Sequence, residues 1–392
     1  MTSPRERLYA VACAGMFVFG MILGLPGTVL GLPETVQQFG LTLADRGLLI
    51  STLFTGLLFG SLLSGPFVDA LGQRASLIVS SALVALCLPM FATASSAVLA
   101  ASALFALGLA SASINTASNA LSSELFPGER GRRMNGIAIM VGLGGIAMPT
   151  ATVLASHLVS WRAVVVGGGV LSALVALSGL IPIALPQRSS RVKGSDPITA
   201  LRQFAKQPAF ALFLLLIMLG GGNEASMAGW TSSFVSASGL SSSVATWVLS
   251  SHWLGLILSR ALFSNRVDRA KEVAVERSAV LSALVLLVLV VSPSPVVVMF
   301  GPFVVGMCIA LVMPTCLALA GERIQGNPGA LFGGLLTLAQ IGGMVLPAAI
   351  GLVAQYTSVR LGLALLIGSY GVIALLVRRL SPDGFRQPTK AG

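Results

Sequence analysis

The chain has 392 residues, of which 55% are apolar and only 9% charged, against about 25% charged in ordinary soluble domains. Too few charged side chains exist to coat a soluble fold of this size, and the mean hydropathy is +0.92. The 44 glycines and 19 prolines would suit low complexity, but they are scattered inside apolar blocks, so disorder is excluded as well. A net charge of +11 raises nucleic acid as a partner, and its distribution answers otherwise. Of 24 Lys and Arg, 21 fall on one set of alternate loops plus the termini, and only Arg46, Arg162 and Arg360 on the other set. This positive-inside bias places both termini in the cytoplasm of a multi-pass protein in a cell membrane, with the lipid bilayer rather than nucleic acid as its partner.

In chain order, apolar blocks of bilayer-spanning length run over about 8–31, 47–68, 75–95, 97–123, 134–157 and 161–185. They resume over about 209–236, 242–264, 274–292, 295–320, 330–354 and 359–380. The first resembles a signal peptide but lacks a small-residue cleavage site, so it reads as a spanning helix. Twelve helices and no strands are predicted: an all-α polytopic membrane protein. The polar break 186–208 divides it into a bundle over 1–185 and a second over 209–392. A shift of 199 residues lays Gly40-Leu41 on Gly239-Leu240, Gly56 on Gly255, and Val68-Asp69 on Val267-Asp268. A shift of 198 lays Gly108 on Gly306, Gly145 on Gly343 and Pro149 on Pro347. Two six-helix copies in one orientation are the plan of transporters whose halves are related by an axis along the membrane normal. Cys13, Cys87, Cys308 and Cys316 sit in apolar blocks without metal spacing and read as core residues.

Between the second and third blocks stands Gly65-Pro66-Phe67-Val68-Asp69-Ala70-Leu71-Gly72-Gln73-Arg74. It resembles the major facilitator superfamily signature G-x-x-x-D-[RK]-x-G-R-[RK]. Gly65, Asp69, Gly72 and Arg74 match, while Ala70 and Gln73 depart from it. The resemblance implies a cytoplasmic gate built on Asp69, Gly72 and Arg74, with Asp268 of Asn265-Arg266-Val267-Asp268-Arg269 as its second copy. The run Ser123 to Asn135 is similar to the loop after the fourth helix of that superfamily. Its members move small molecules by alternating access. No catalytic constellation competes with this: no HExxH, no phosphate-binding loop and only two histidines, so no enzyme is expected.

Fold alone does not choose a cargo, so the intramembrane polar residues carry the rest. Glu224, in Leu219-Gly220-Gly221-Gly222-Asn223-Glu224, lies a little past the midplane of the seventh block, behind three glycines. An ionisable residue at that depth is costly and ordinarily functional. Asn223 and Trp230, seven apart, share a face toward one ligand, packing being the alternative for Trp230. The G-x-x-E-x-x-x-x-x-W pattern is similar to the seventh helix of the fucose, galactose and glucose symporter family, sodium-glucose members included. The acids of its fucose permease branch are replaced here by Val29 and Asn115. Ser111, Asn115, Ser118, Asn119 and Ser122 make a polar stripe on the fourth block, suited to hydroxylated cargo or to interhelical bonding. His252 and Gln340 are further cavity candidates, each with a packing alternative. Arg260 either snorkels or pairs with an acid at the inner gate. Glu34 and His157 read as interfacial. In block five, Gly142, Gly144, Gly145 and Pro149 partly resemble a proton-antiporter signature that fails after the proline. The expectation is therefore cation-coupled uptake of a sugar or sugar-like solute by a monomer. Glu224 takes a proton or sodium ion and no cofactor is needed; export of drugs or metabolites is the alternative.

Overall fold

The computed structural model describes residues 3–126, 129–180, 204–267, 271–325 and 328–380. Among them every regular element is helical. The helices are α1 (Pro4–Val29), α2 (Pro33–Phe39), α3 (Leu43–Leu71), α4 (Gln73–Ala92), α5 (Ala97–Leu125), α6 (Arg130–Ala155) and α7 (Trp161–Gly179). After them come α8 (Pro208–Ala237), α9 (Ser242–Val267), α10 (Lys271–Val291), α11 (Pro295–Ile309), α12 (Val312–Arg323), α13 (Pro328–Tyr356) and α14 (Val359–Leu380). Most of the 186–208 break lies outside the described residues, as does Asp268.

Local chemistry sets the helix starts. Ser3 and Ser96 accept from the backbone N–H of Glu6 and Leu99. At α3 a reciprocal box forms: Asp45 N donates to Thr42 Oγ1 at 3.2 Å while Thr42 N donates to Asp45 Oδ2 at 2.9 Å. Eleven segments are long and apolar enough to cross a membrane, α11 and α12 counting as one. The remaining predicted crossing, α9, has 26 residues, about 39 Å at 1.5 Å per residue. Its many serines, His252 and Arg260 lower its hydropathy, which is what a helix facing protein rather than lipid tolerates. Outward positions such as Leu62, Leu86, Leu158, Leu177 and Leu375 are exposed, the belt that lipid would cover.

Two features escaped the block count. The seven-residue α2 lies across the face where α1 ends. There Gln38 donates to Ala94 O at 2.9 Å and accepts from Arg162. The tenth crossing is broken at Ala310–Leu311. Pro314 explains the break: it has no N–H to give the carbonyl four residues earlier, that of Ala310.

The internal repeat recurs in the packing. Pairs α1–α6, α3–α5 and α4–α7 have counterparts in α8–α13, α9–α11 and α10–α14. A Cβ at Gly56 would overlap the Phe105 carbonyl, and one at Gly255 the Phe303 carbonyl. Gly108 meets the Leu53 carbonyl and Gly306 that of His252 in the same way. The turn glycines Gly40 and Gly239 both have positive φ, +60° and +88°.

Contacts between the first and last six crossings run along α3–α13, α6–α9 and α1–α8. They gather toward the far face, the one carrying α2 and the ends of α1 and α13. Gly27 backs onto the Ala228 carbonyl, and a Cβ at Gly47 would stand 2.6 Å from Pro347 O and 3.1 Å from Gly351 Cα. Gln355 at the end of α13 accepts from Leu43 N at 3.0 Å at the start of α3. Thr150 and Ser250 hydroxyls lie 3.0 Å apart. Near the middle of the seam Gly145 meets the Trp253 ring and Gly343 the Phe54 ring. Beyond that level, toward the near face where α1 begins and α14 ends, α6 and α9 part around a small cleft of about 30 Å³. It is lined by Ala138, Ile139, Ile257, Arg260 and Ala261. The far side is shut and the near side open.

Candidate functional site

Glu224 is set on α8 one residue after the glycine run. Gly221 and Gly222 let α8 close on the backbone of α13 at Ala339 and Gly342. That packing turns the carboxylate toward α9, where Arg260 Nη2 donates to Oε1 at 3.1 Å and to Oε2 at 3.4 Å. The guanidinium Nε donates to Ala310 O at 3.2 Å, the carbonyl that Pro314 leaves without its helical partner. One arginine thus closes a helix break and neutralises a membrane-embedded acid. The pair is neither dry nor fully wet, with side-chain exposures of 33% for Arg260 and 25% for Glu224.

Of the two readings of Arg260, the structure shows the pairing with an acid. Arg260 lies about two turns inside α9, and its long side chain reaches inward to the acid instead of snorkelling out. Trp230 is placed elsewhere than beside a ligand: it is fully buried, and its Nε1 donates to Pro347 O of α13 at 3.1 Å. Asn223 is fully buried and faces the Tyr370 hydroxyl of α14, its polar neighbour there. Ser226, one turn on, is likewise buried, and its hydroxyl is unpartnered. His252 is completely buried; its Nδ1 stands 3.0 Å from Pro302 O of α11, and Nε2 has no partner. Glu224 lies within electrostatic reach of both His252 and Tyr370. The structure therefore pairs Glu224 with Arg260 and leaves His252 and Tyr370 within electrostatic reach of that acid, across α8, α9 and α14.

The stripe on α5 divides. Ser111, Ser118 and Ser122 are buried, Ser118 within contact of α1 at Gly15. Asn115 and Asn119 are half-buried, Asn119 Nδ2 donating to Asn115 Oδ1 at 2.8 Å. They are not in hydrogen-bond contact with the Glu224 group. Gln340 is half-buried on α13, on the side that Gly343 and Pro347 turn toward α3.

At the near face Asp69 is exposed at the end of α3. Gly72, with φ +87°, makes the α3–α4 turn, and Arg74 Nε donates to Gly179 O at 2.8 Å, capping the C-terminus of α7. The ionic ties that sequence reading missed lie on this face. Arg133 grips Glu6 at 2.7 and 2.9 Å and sits 3.9 Å over the Phe126 ring. Lys271 pairs with Glu322, Arg323 with Glu272, and Arg378 with Glu276. Each tie stays within its own six crossings. Their signal was present as acids and bases at helix ends, but sequence does not say which acid meets which base.

Twelve crossings in two matched groups, shut on one side and open on the other around a charged pair, define a multi-pass membrane transporter fold. A sequence model of the Major Facilitator Superfamily matches residues 12–275, and the chain belongs to that superfamily. Three solved structures share the fold. A mutant of the nucleoside transporter NupG aligns with TM-score 0.81 and 16% identity, over 96% of this chain and 100% of that one. A D-xylose-proton symporter aligns with TM-score 0.79 and 14% identity, over 98% and 99%. A bacterial homologue of the human lysosomal transporter Spinster, inward-facing and unoccupied, aligns with TM-score 0.76 and 14% identity, over 96% and 97%. At these identities the likeness concerns the fold. No curated protein matches the chain in sequence.

Proposed function

We propose that the protein carries a small, uncharged, hydrophilic solute, a sugar or a sugar-like compound such as a nucleoside, across a cell membrane together with a proton or sodium ion. In this reading both termini are cytoplasmic, so the open near side faces the cytoplasm. The bundles 1–185 and 209–392, joined by 186–208, rock about the glycine seam in a functional monomer. The observation that carries it is the Glu224–Arg260 pair at the broken tenth crossing. Discontinuous helices near the midplane are where transporters build sites, and two opposite charges leave that site neutral for an uncharged solute. A positive charge arriving in the site, as a sodium ion or as a proton on a group within reach of Glu224, competes with Arg260 for the carboxylate. Loading the ion therefore weakens a contact between α8 and α9 and biases one arrangement over another. The nucleoside and xylose transporters among the structural neighbours support this solute class.

The test is uptake into vesicles carrying an imposed proton or sodium gradient, with xylose, glucose, fucose, uridine and adenosine as probes. At least one probe is expected to accumulate. Glu224→Gln should abolish accumulation while leaving counterflow exchange. Undiminished gradient-driven accumulation by that variant would remove Glu224 from coupling.

A further inference from the structure

We propose that His252, buried on α9 with Nε2 left open, is the proton acceptor of the site that Glu224 and Arg260 define. This rests on the cation-coupled reading above, with the proton as the ion. The argument starts from the tautomer. His252 Nδ1 stands 3.0 Å from Pro302 O. A carbonyl oxygen only accepts, so Nδ1 carries the hydrogen, and Nε2 of the neutral ring is a bare lone pair. That nitrogen is fully buried and has no partner. A buried acceptor left without a donor is costly. Here it does not stand alone: the hydroxyl of Ser226, on α8, is also buried and unpartnered.

The ionisable groups around the ring are few. From α8 it feels Glu224. Arg260, two turns along α9 itself, holds that carboxylate. Tyr370 of α14 and Cys308 of α11 lie near the same point. The residues of α6 that line the α6–α9 cleft, Ala138 and Ile139, are apolar. Among the described residues Glu224 is the acid in electrostatic reach. The step balances simply. A hydronium ion gives its proton to the Nε2 lone pair, leaving water and an imidazolium. Its Nδ1–H stays on Pro302 O, and its charge is offset electrostatically by Glu224, the acid that Arg260 holds. Release reverses the step at Nε2. Because Pro302 fixes the ring to α11, the proton changes the bonding between α8, α9 and α11 together.

The chain has two histidines, so His157→Asn leaves His252 as the single imidazole. The experiment is nitrogen NMR of imidazole-labelled His157→Asn protein in lipid, across pH, with no solute and no gradient. At high pH the expected spectrum is a neutral ring protonated on Nδ1, converting on acidification to the imidazolium. In Glu224→Gln the midpoint should fall by about one unit or more, the size of effect an opposite charge exerts at close range. Glu224→Asp, which keeps the charge, should hold the midpoint near the parent's and guards against a misfolded Gln variant. A proton on Nε2 at high pH, a ring that stays neutral throughout, or a midpoint indifferent to Glu224→Gln overturns the proposal. Absence of gradient-driven uptake would instead overturn the transport reading, leaving these spectra as they are.

Discussion

Gly47→Ala tests whether the far-face seam governs which side is open. The added Cβ would stand 2.6 Å from Pro347 O and 3.1 Å from Gly351 Cα, where ordinary contact begins at 3.4 Å. Both neighbours are backbone, so no side chain can swing away. Helices α3 and α13 must separate by about 0.8 Å, and overpacking of this kind costs about 1–3 kcal/mol. Once the far side opens, the neighbours withdraw and the penalty vanishes. The whole cost therefore falls on the shut state, shifting the ratio of open to shut by about 5- to 150-fold. The assay is dipolar spectroscopy in liposomes. Spin labels go at Thr42 and Thr357, exposed positions by the far ends of α3 and α13, with the four native cysteines replaced. Gly47→Ala should enlarge a longer-distance population at least about fivefold. Gly167→Ala, whose Cβ meets nothing within 4 Å, should not. An unchanged distribution in a well-folded Gly47→Ala protein would refute the reasoning.

Gln355→Leu removes the acceptor for Leu43 N, a bond worth about 0.5–1.5 kcal/mol, and should raise the same far-open population about two- to tenfold; a loss of stability without a population change would make Gln355 merely structural. Arg260→Met and Glu224→Gln should each lower stability in mixed-micelle denaturation, each leaving a partner without its counter-charge. The double variant should recover about 1 kcal/mol or more of the summed loss, and strict additivity would mean that the two do not interact. Gly72→Ala forces a side chain onto φ +87° at a cost of about 1–3 kcal/mol. Gly65→Ala meets open space and should be silent, so equal thermal stability of the two would refute the strain argument.

Much of the scaffold was legible because lipid imposes a length and an apolar character on each crossing. The twelve predicted blocks agree with helices to within a few residues at most ends. Glycine positions repeated at a constant spacing because each marks a backbone contact that the other half makes again. The failures have physical causes too. Helix α2 is too short and polar to register as a crossing. The break in the tenth was readable from Pro314, by asking which carbonyl loses its donor, but an apolar run conceals it. Glu224 announced itself by depth alone. Its partner did not, since Arg260 is 36 residues away on another helix and the reach of a long side chain defeats counting from the helix end. For Trp230 a shared helical face left ligand contact and packing both open, and α13 covers it here.

The seam that shuts the far side is built largely of main chain against main chain. Glycine brings no rotamers to freeze when the surfaces meet, so closing costs little side-chain entropy and opening wins little back. What holds the surfaces is dispersion, which fades within an ångström of separation. The contact therefore behaves as a latch with a short throw, either engaged along its length or released, and seldom found part-way. In the transport cycle proposed above, such a latch would keep the energy stored in either position small, so that binding a single solute or ion suffices to choose between them.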